Sequence, residues 1–369
     1  MKISCIRLGR ITVPLRTPFQ TALRRVAAVR DVVVILESDE GLLGFGEAPP
    51  TAAITGETEG SILSAISEHI APALLGREVL AREENAAAVQ AAIRHNASAK
   101  AACDIALWDL HGKALGAPVF RMLGGHDPRL TTDLTISVNA PEQMAMDARE
   151  AVARGYTTLK VKVGLDPAQD VARLAAVREA VGSQVRLRID ANQAWTPREA
   201  VRILAQMQAR GLGLELCEQP VPARDLEGLG YVTRHSDVPI LADESVFSPR
   251  DALTLLERGA ASMLNIKLMK CGGLTPALRI AAAAESYGVP CMLGCMLEAK
   301  IAVNAAVHLA CARRVISLID LDGPSLCAED PIAGGARFEG RTIVCGEAPG
   351  LGIEGIDPAA YEELAVLRL

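Results

Sequence analysis

Aromatic side chains are scarce in this chain: two Trp, four Tyr and five Phe, 3% of 369 residues. That argues against a stacking surface for bases or sugar rings. No unbroken apolar run of about 18 residues occurs, so no membrane span is expected. The N-terminus, MKISCIRLGRITVPL, alternates and soon reaches Pro14, without the continuous apolar segment of a signal peptide. Nine cysteines are scattered with no CxxC pair. Cys103, Cys217, Cys291 and Cys311 sit in apolar surroundings, which reads as reduced thiols in the cytoplasm. Net charge is -6 with 22% charged residues, so neither nucleic acid nor an anionic membrane is an expected partner.

What the chain has is apolar bulk and a rhythm. Half the residues are hydrophobic, enough for one large core with a smaller domain attached. From Leu159 to Gly273 it reads LKVKVG, LRIDAN, LELCEQP, ILADES and LNIKLMKCGG. Each run is short, rich in Val, Ile or Leu, and ends near a charge: Lys160 and Lys162, then Asp190, Glu218, Asp243 and Lys267. From Lys162 onward the spacings are 28, 28, 25 and 24 residues. One strand, one helix and two loops have that length, and strands closing into a barrel would aim these charges at one centre.

The remaining segments fit around this repeat. Residues 1–48 read as an antiparallel sheet, with Val29 to Glu37 and Leu42 to Glu47 joined by a turn at Ser38-Asp39-Glu40-Gly41. Arg16 to Ala28 reads as an irregular polar loop, and residues 49–58 as a second. Helices are expected over roughly 59–73, 80–93 and 97–115. The last has a small-residue face of Ser98, Ala101, Ala102, Ile105 and Ala106, suited to close packing. Asp104 and His111 read as structural. Eight barrel strands are expected: 130–138, 158–163, 185–189, 214–217, 240–242, 263–266, 290–294 and 315–319. Thr196-Pro197, Ser248-Pro249 and Thr275-Pro276 read as helix starts. The fold class is therefore α/β: an N-terminal α+β capping domain over 1–125, a (β/α)8-type barrel over 126–322, and a glycine-rich tail, 323–369, returning to the cap.

Asp190, Glu218 and Asp243 end three consecutive strands. Converging carboxylates repel, and a shared cation relieves this; oxygen ligands without His or Cys select a hard ion such as Mg2+. Lys162 and Lys267, ending strands two and six, would lie on opposite sides of that ion. A lysine near a divalent cation and a second lysine is expected to have a lowered pKa and to serve as a general base. Two bases on opposite faces of a carbon acid are what stereochemical inversion needs, with the metal stabilising an enediolate. Lys160 points to the same side as Lys162, toward either a substrate carboxylate or a metal ligand. Thr135 stands near the end of strand one and Glu298 follows strand seven. Asp320 and Asp322 face one side after strand eight and would suit a substrate ammonium.

Taken in order, KVKVG, RIDANQAW, CEQP, ADES and NIKLMKCGG resemble the enolase superfamily, muconate-lactonizing subgroup. The likeness extends to the capping sheet, the ASAKAACDIALWDLHGKALG helix and the tail. It implies Asp190, Glu218 and Asp243 as Mg2+ ligands, Lys162 and Lys267 as the acid/base pair, and Lys160 at the carboxylate. The Asp320-Leu321-Asp322 pair resembles that of dipeptide epimerases, where it holds the free ammonium of the first residue. RTPFQTALR with EAPPTAAITG is similar to the L-Ala-D/L-Glu epimerases of murein peptide metabolism, which implies that Arg24 meets the glutamate side chain; Arg25 stands next to it. Dipeptide epimerases of hydrophobic or cationic specificity remain open on these residues, as do N-acylamino acid racemases, o-succinylbenzoate synthases, cycloisomerases and assembly into a homo-oligomer.

Overall fold

A computed structural model describes residues 1–21, 24–125 and 127–369. Strands Ile3–Gln20, Arg25–Ser38 and Leu43–Ala48 form an antiparallel sheet, and Tyr361–Arg368 adds to its free edge. Alternation along these strands decides what each face meets. Val29, Val33 and Ile35 join the core shared with the barrel, whereas Val32, Val34 and Leu36 join a second core under the N-terminal helices. The same division runs around the helix Ala97–Leu115. Ala101, Ile105 and Trp108, spaced four and three apart, face the barrel, and Ala102, Ala106 and Leu110 face the cap. A helix wedged between two layers is buried almost all round, which is why its residues are small or apolar on every side. Closest approach is at Gly46, where a Cβ would lie 1.9 Å from the Ala102 carbonyl oxygen.

The expected loop over Arg16 to Ala28 is largely strand. The two arms continue to Gln20 and from Arg25, with Phe19 opposite Val26 after a register shift that follows Pro14. Arg16, Thr17 and Arg25 are exposed on them, and an arm that leaves the sheet has little core to face, so polarity there does not signal a loop. Ala22 and Leu23, in that same stretch, lie outside the described residues.

Eight parallel strands form the barrel: Leu134–Ile136, Thr158–Lys162, Arg186–Asp190, Leu214–Glu218, Ile240–Ala242, Met263–Ile266, Cys291–Gly294 and Ile316–Asp320. The seam between the last and the first is bridged by Asp133 N donating to Ile319 O, 3.4 Å, and Leu321 N donating to Thr132 Oγ1, 2.9 Å. The first strand is shorter than expected. Arg129–Thr131 pairs instead with Thr342–Val344 of the tail. A helix over Leu226–His235, started by Asp225, was not expected from the glycine-broken sequence LEGLGYVTRH. Thr196 and Ser248 cap their helices as anticipated. Thr275 does not: its helix begins at Leu274 after a short turn, Leu268–Cys271. Its backbone N–H and hydroxyl donate instead to Asp104, at 2.9 and 2.7 Å. Among the described residues no helix is long and apolar enough to cross a membrane.

Candidate active site

A small cavity opens at the C-terminal ends of the barrel strands and is roofed by the N-terminal arm. Its polar wall carries Thr135, Lys160, Lys162, Lys267, Asp320 and Asp322. Phe19, Ile54, Leu297 and Leu326 supply an apolar wall, and Arg24 reaches in from the arm. Arg25 is turned outward, away from this cavity.

Asp190, Glu218 and Asp243 stand where the period placed them, at or just beyond the ends of strands three, four and five, and all are buried. Ammonium groups stand against and between them. Lys160 Nζ is 2.6 Å from Asp320 Oδ2, 2.7 Å from Glu218 Oε2 and 3.3 Å from Asp190 Oδ2. Lys162 Nζ is 2.5 Å from Asp190 Oδ2, and Lys267 Nζ is 2.8 Å from Asp243 Oδ2 and 4.0 Å from Glu218 Oε1. Lys270 Nζ donates to Asp243 Oδ1 and to Asn265 O. So repulsion among the acids is offset here by four lysines, a counter-charge expected from a cation. Among the described residues no three His, Cys, Asp or Glu side chains are gathered closely enough to chelate an ion.

The donor set nonetheless suits a hard cation. Glu218 Oε2 lies near Lys160 without an aligned hydrogen bond, and Asn192 Oδ1, Glu244 Oε2 and Asn265 Oδ1 are buried acceptors with no hydrogen-bond partner. Unpaired oxygens concentrated beside three strand-end carboxylates are where a divalent ion would be accepted.

Charge states follow from burial and neighbours. Burial raises Glu218, Asp190 repels it further, and Lys160 only partly compensates, leaving it at about 8. Burial also opposes ionisation of Asp190 and Asp243, but Lys162 and Lys160 hold the first below its usual range, and Lys267 with Lys270 hold the second below. Lys267 departs from the expected lowering. Burial pulls it down, yet attraction to Asp243 prevails and its pKa is raised. Asp320 is kept low by Lys160 against the cost of burial, while burial and repulsion from Asp320 push Asp322 to about 6.

Thr135 N donates to Asp322 Oδ2 at 2.7 Å, tying strand one to the paired aspartates. Lys160, the residue left between two roles, is here engaged by acids. Arg24 Nη2 donates to Met296 O, and burial lowers its pKa against the pull of Asp31 and Glu298. Glu298 is not brought to the cavity wall: its Oε1 accepts from Met296 N at 2.8 Å. Asn192, Glu244 and the part played by Lys270 were not expected. DAN, ADE and the KxxK spacing were the only signals for them, and all three are short.

Residues 6–124 match the mandelate racemase/muconate lactonizing enzyme N-terminal domain, and residues 143–359 match the enolase C-terminal domain-like family. The L-Ala-D/L-Glu epimerase of Clostridium acetobutylicum is 51% identical, covering 97% of this chain and 100% of its own. A substrate-liganded complex of the L-Ala-D/L-Glu epimerase from Bacillus subtilis superposes with a TM-score of 0.95 at 48% identity, over 96% of this chain and 99% of that one. The dipeptide epimerase of Enterococcus faecalis, solved with Mg and L-Leu-L-Tyr, gives a TM-score of 0.93 at 41% identity, over 96% and 100%. The chain is an enzyme and belongs to the enolase superfamily, in its mandelate racemase/muconate lactonizing group.

Proposed function

We propose that this enzyme is a Mg2+-dependent dipeptide epimerase that inverts the α-carbon of the second residue, with L-Ala-D/L-Glu as its substrate. One observation carries the reading: two lysines on opposite barrel strands, a pair of aspartates and one arginine line the same small cavity. A dipeptide with an acidic second residue offers an ammonium, an α-carboxylate and a side-chain carboxylate. The cavity offers a partner for each.

Asp190, Glu218 and Asp243 would hold the cation, and the 41%-identical E. faecalis enzyme, described as a complex with Mg, supports the choice of ion. Bound there, the ion would neutralise charge gathering on the substrate carboxylate as the α-proton departs. Asp320 and Asp322 receive the substrate ammonium, and Thr135 N fixes Asp322 for that task. Lys160 keeps Asp320 ionised and brings a positive charge close to the carboxylate. Of Lys162 and Lys267, the one present as a free amine takes the proton from its face. The other, as an ammonium, returns a proton from the opposite face. After turnover the two have exchanged protonation states, so the reverse reaction uses them in reverse. Arg24 pairs with the side-chain carboxylate.

The apolar wall of Phe19, Ile54, Leu297 and Leu326 favours a second reading, a hydrophobic second residue. A relative described as a hydrophobic dipeptide epimerase, from Enterococcus faecalis, is 41% identical. A dipeptide panel followed by proton NMR in D2O with Mg2+ separates the two. The first reading requires deuterium at the second α-carbon and a mixture of epimers for L-Ala-L-Glu, at a kcat/KM above that for L-Ala-L-Leu. It also requires loss of turnover after EDTA and recovery with Mg2+. Elimination products or full activity in EDTA would sink it.

A further inference from the structure

The helix Lys300–Ala310, which follows barrel strand seven, starts at Ala299, a residue with no side chain to cap it. Its first N–H groups are met by the capping sheet. Glu47 Oε1 accepts from Ala299 N at 2.8 Å, Glu47 Oε2 accepts from Ala302 N at 2.8 Å, and Asp31 Oδ2 accepts from Ala299 N at 3.3 Å. Both acids are buried, at 0% and 2% exposure. They come from strands more than 250 residues away in sequence.

Immediately before this helix lies Cys295 to Glu298, three of whose residues line the cavity. The segment is not a relaxed turn. Leu297 has φ +76°, a left-handed conformation that a branched side chain adopts only when its surroundings enforce it. Glu298 folds back onto Met296 N, and Arg24 donates to Met296 O. The arginine proposed to read the substrate's second side chain therefore rests on a segment whose far end is held by Glu47.

We infer that Glu47, assisted by Asp31, is a positioning residue for substrate: from the capping sheet it clamps Ala299 and Ala302, where residues 295–298 run into the helix, and so sets where Arg24 and the Leu297 wall stand, without touching substrate. Burial raises the pKa of both carboxyls. This inference rests on the dipeptide reading for its kinetic consequence, though not for its structural one.

Glu47→Gln keeps the shape but turns one acceptor into an NH2 that cannot receive an N–H. For that variant KM for L-Ala-L-Glu should rise about tenfold or more while kcat stays within about threefold, the signature of misplaced binding groups with chemistry intact. L-Ala-L-Leu, which does not use Arg24, should change less. Asp109→Asn is the control: Asp109 is equally buried and accepts from Phe45 N and Leu351 N at 2.9 and 2.7 Å, away from the cavity. It should lower Tm with no change in KM. If Glu47→Gln does not fold, Asp31→Asn removes the weaker of the two supports and should give the same split at smaller amplitude. A Tm loss with KM for both dipeptides within about twofold of wild type, as in the control, overturns the proposal. If the wild type epimerises no dipeptide, the functional reading has failed, and the clamp is judged by amide hydrogen exchange. Glu47→Gln should deprotect residues 295–302 and the control should not; unchanged protection there overturns it.

Discussion

Lys160, Lys162 and Lys267, which line the cavity, are restrained to different degrees. Lys160 is shared by three acids, whereas Lys162 has one close partner and Lys267 one close and one distant. A side chain gripped by three carboxylates is poorly suited to exchange protons, so the catalytic pair is better drawn from the other two. Lys162→Ala and Lys267→Ala should each abolish epimerisation, yet leave α-proton exchange with D2O for the single epimer whose proton faces the surviving lysine; NMR of each epimer separately checks this. Exchange of both epimers in either variant would remove that lysine from the mechanism. Arg24→Ala should lower kcat/KM for L-Ala-L-Glu by about 30- to 1,000-fold, from the loss of about 2–4 kcal/mol of desolvated pairing, and affect L-Ala-L-Leu far less. The acids and lysines were legible because one βα period repeats them at strand ends. The direction of the Lys267 shift was not, because it depends on a 2.8 Å approach to Asp243 that spacing alone does not reveal.

At the scale of elements, most helices and strands were legible from caps and periodicity, but what satisfies two of the helix starts was not. Thr275 looked like a cap and Ala299 carries no capping side chain, and both helix starts are satisfied by acids of the N-terminal segment, Asp104 for the first and Glu47 for the second. Capping across domains leaves no local sequence signal. The wedge helix Ala97–Leu115 was legible as small-faced, but its glycine counterpart was not. Gly46 lies in a strand, where glycine ordinarily weakens pairing, and only the 1.9 Å clearance to Ala102 O explains it. Gly46→Ala should therefore destabilise by about 1–3 kcal/mol or more through overpacking against backbone, which urea unfolding will measure. A loss below about 0.5 kcal/mol would mean that the helix can withdraw from the sheet at little cost.

The whole molecule is held together by a helix and a sheet that each serve two cores, and by polar contacts that cross between cap and barrel. His308 makes one of these. It lies on the helix after strand seven, and its Nδ1 accepts from Phe120 N at 3.0 Å, with the two rings 5.8 Å apart. Accepting that bond requires the neutral imidazole. Burial pushes its pKa down to about 4, against an unfolded value near 6.5. The folded value is the lower one, so the unfolded chain binds the proton first. Stability from keeping this ring neutral is fully present above about pH 6.5 and is lost as pH falls toward about 4, amounting to about 2 kcal/mol at about pH 5. His308→Gln keeps an acceptor for Phe120 N but removes the titration. It will cost some packing at every pH, whereas the fall in unfolding free energy between about pH 8 and pH 5 should be smaller than in wild type by about 2 kcal/mol. Urea unfolding of both proteins at the two pH values isolates the term, because the many buried carboxyls contribute equally to each. Parallel losses in the two proteins would show that His308 titrates normally and that the contact with Phe120 opens before the chain unfolds.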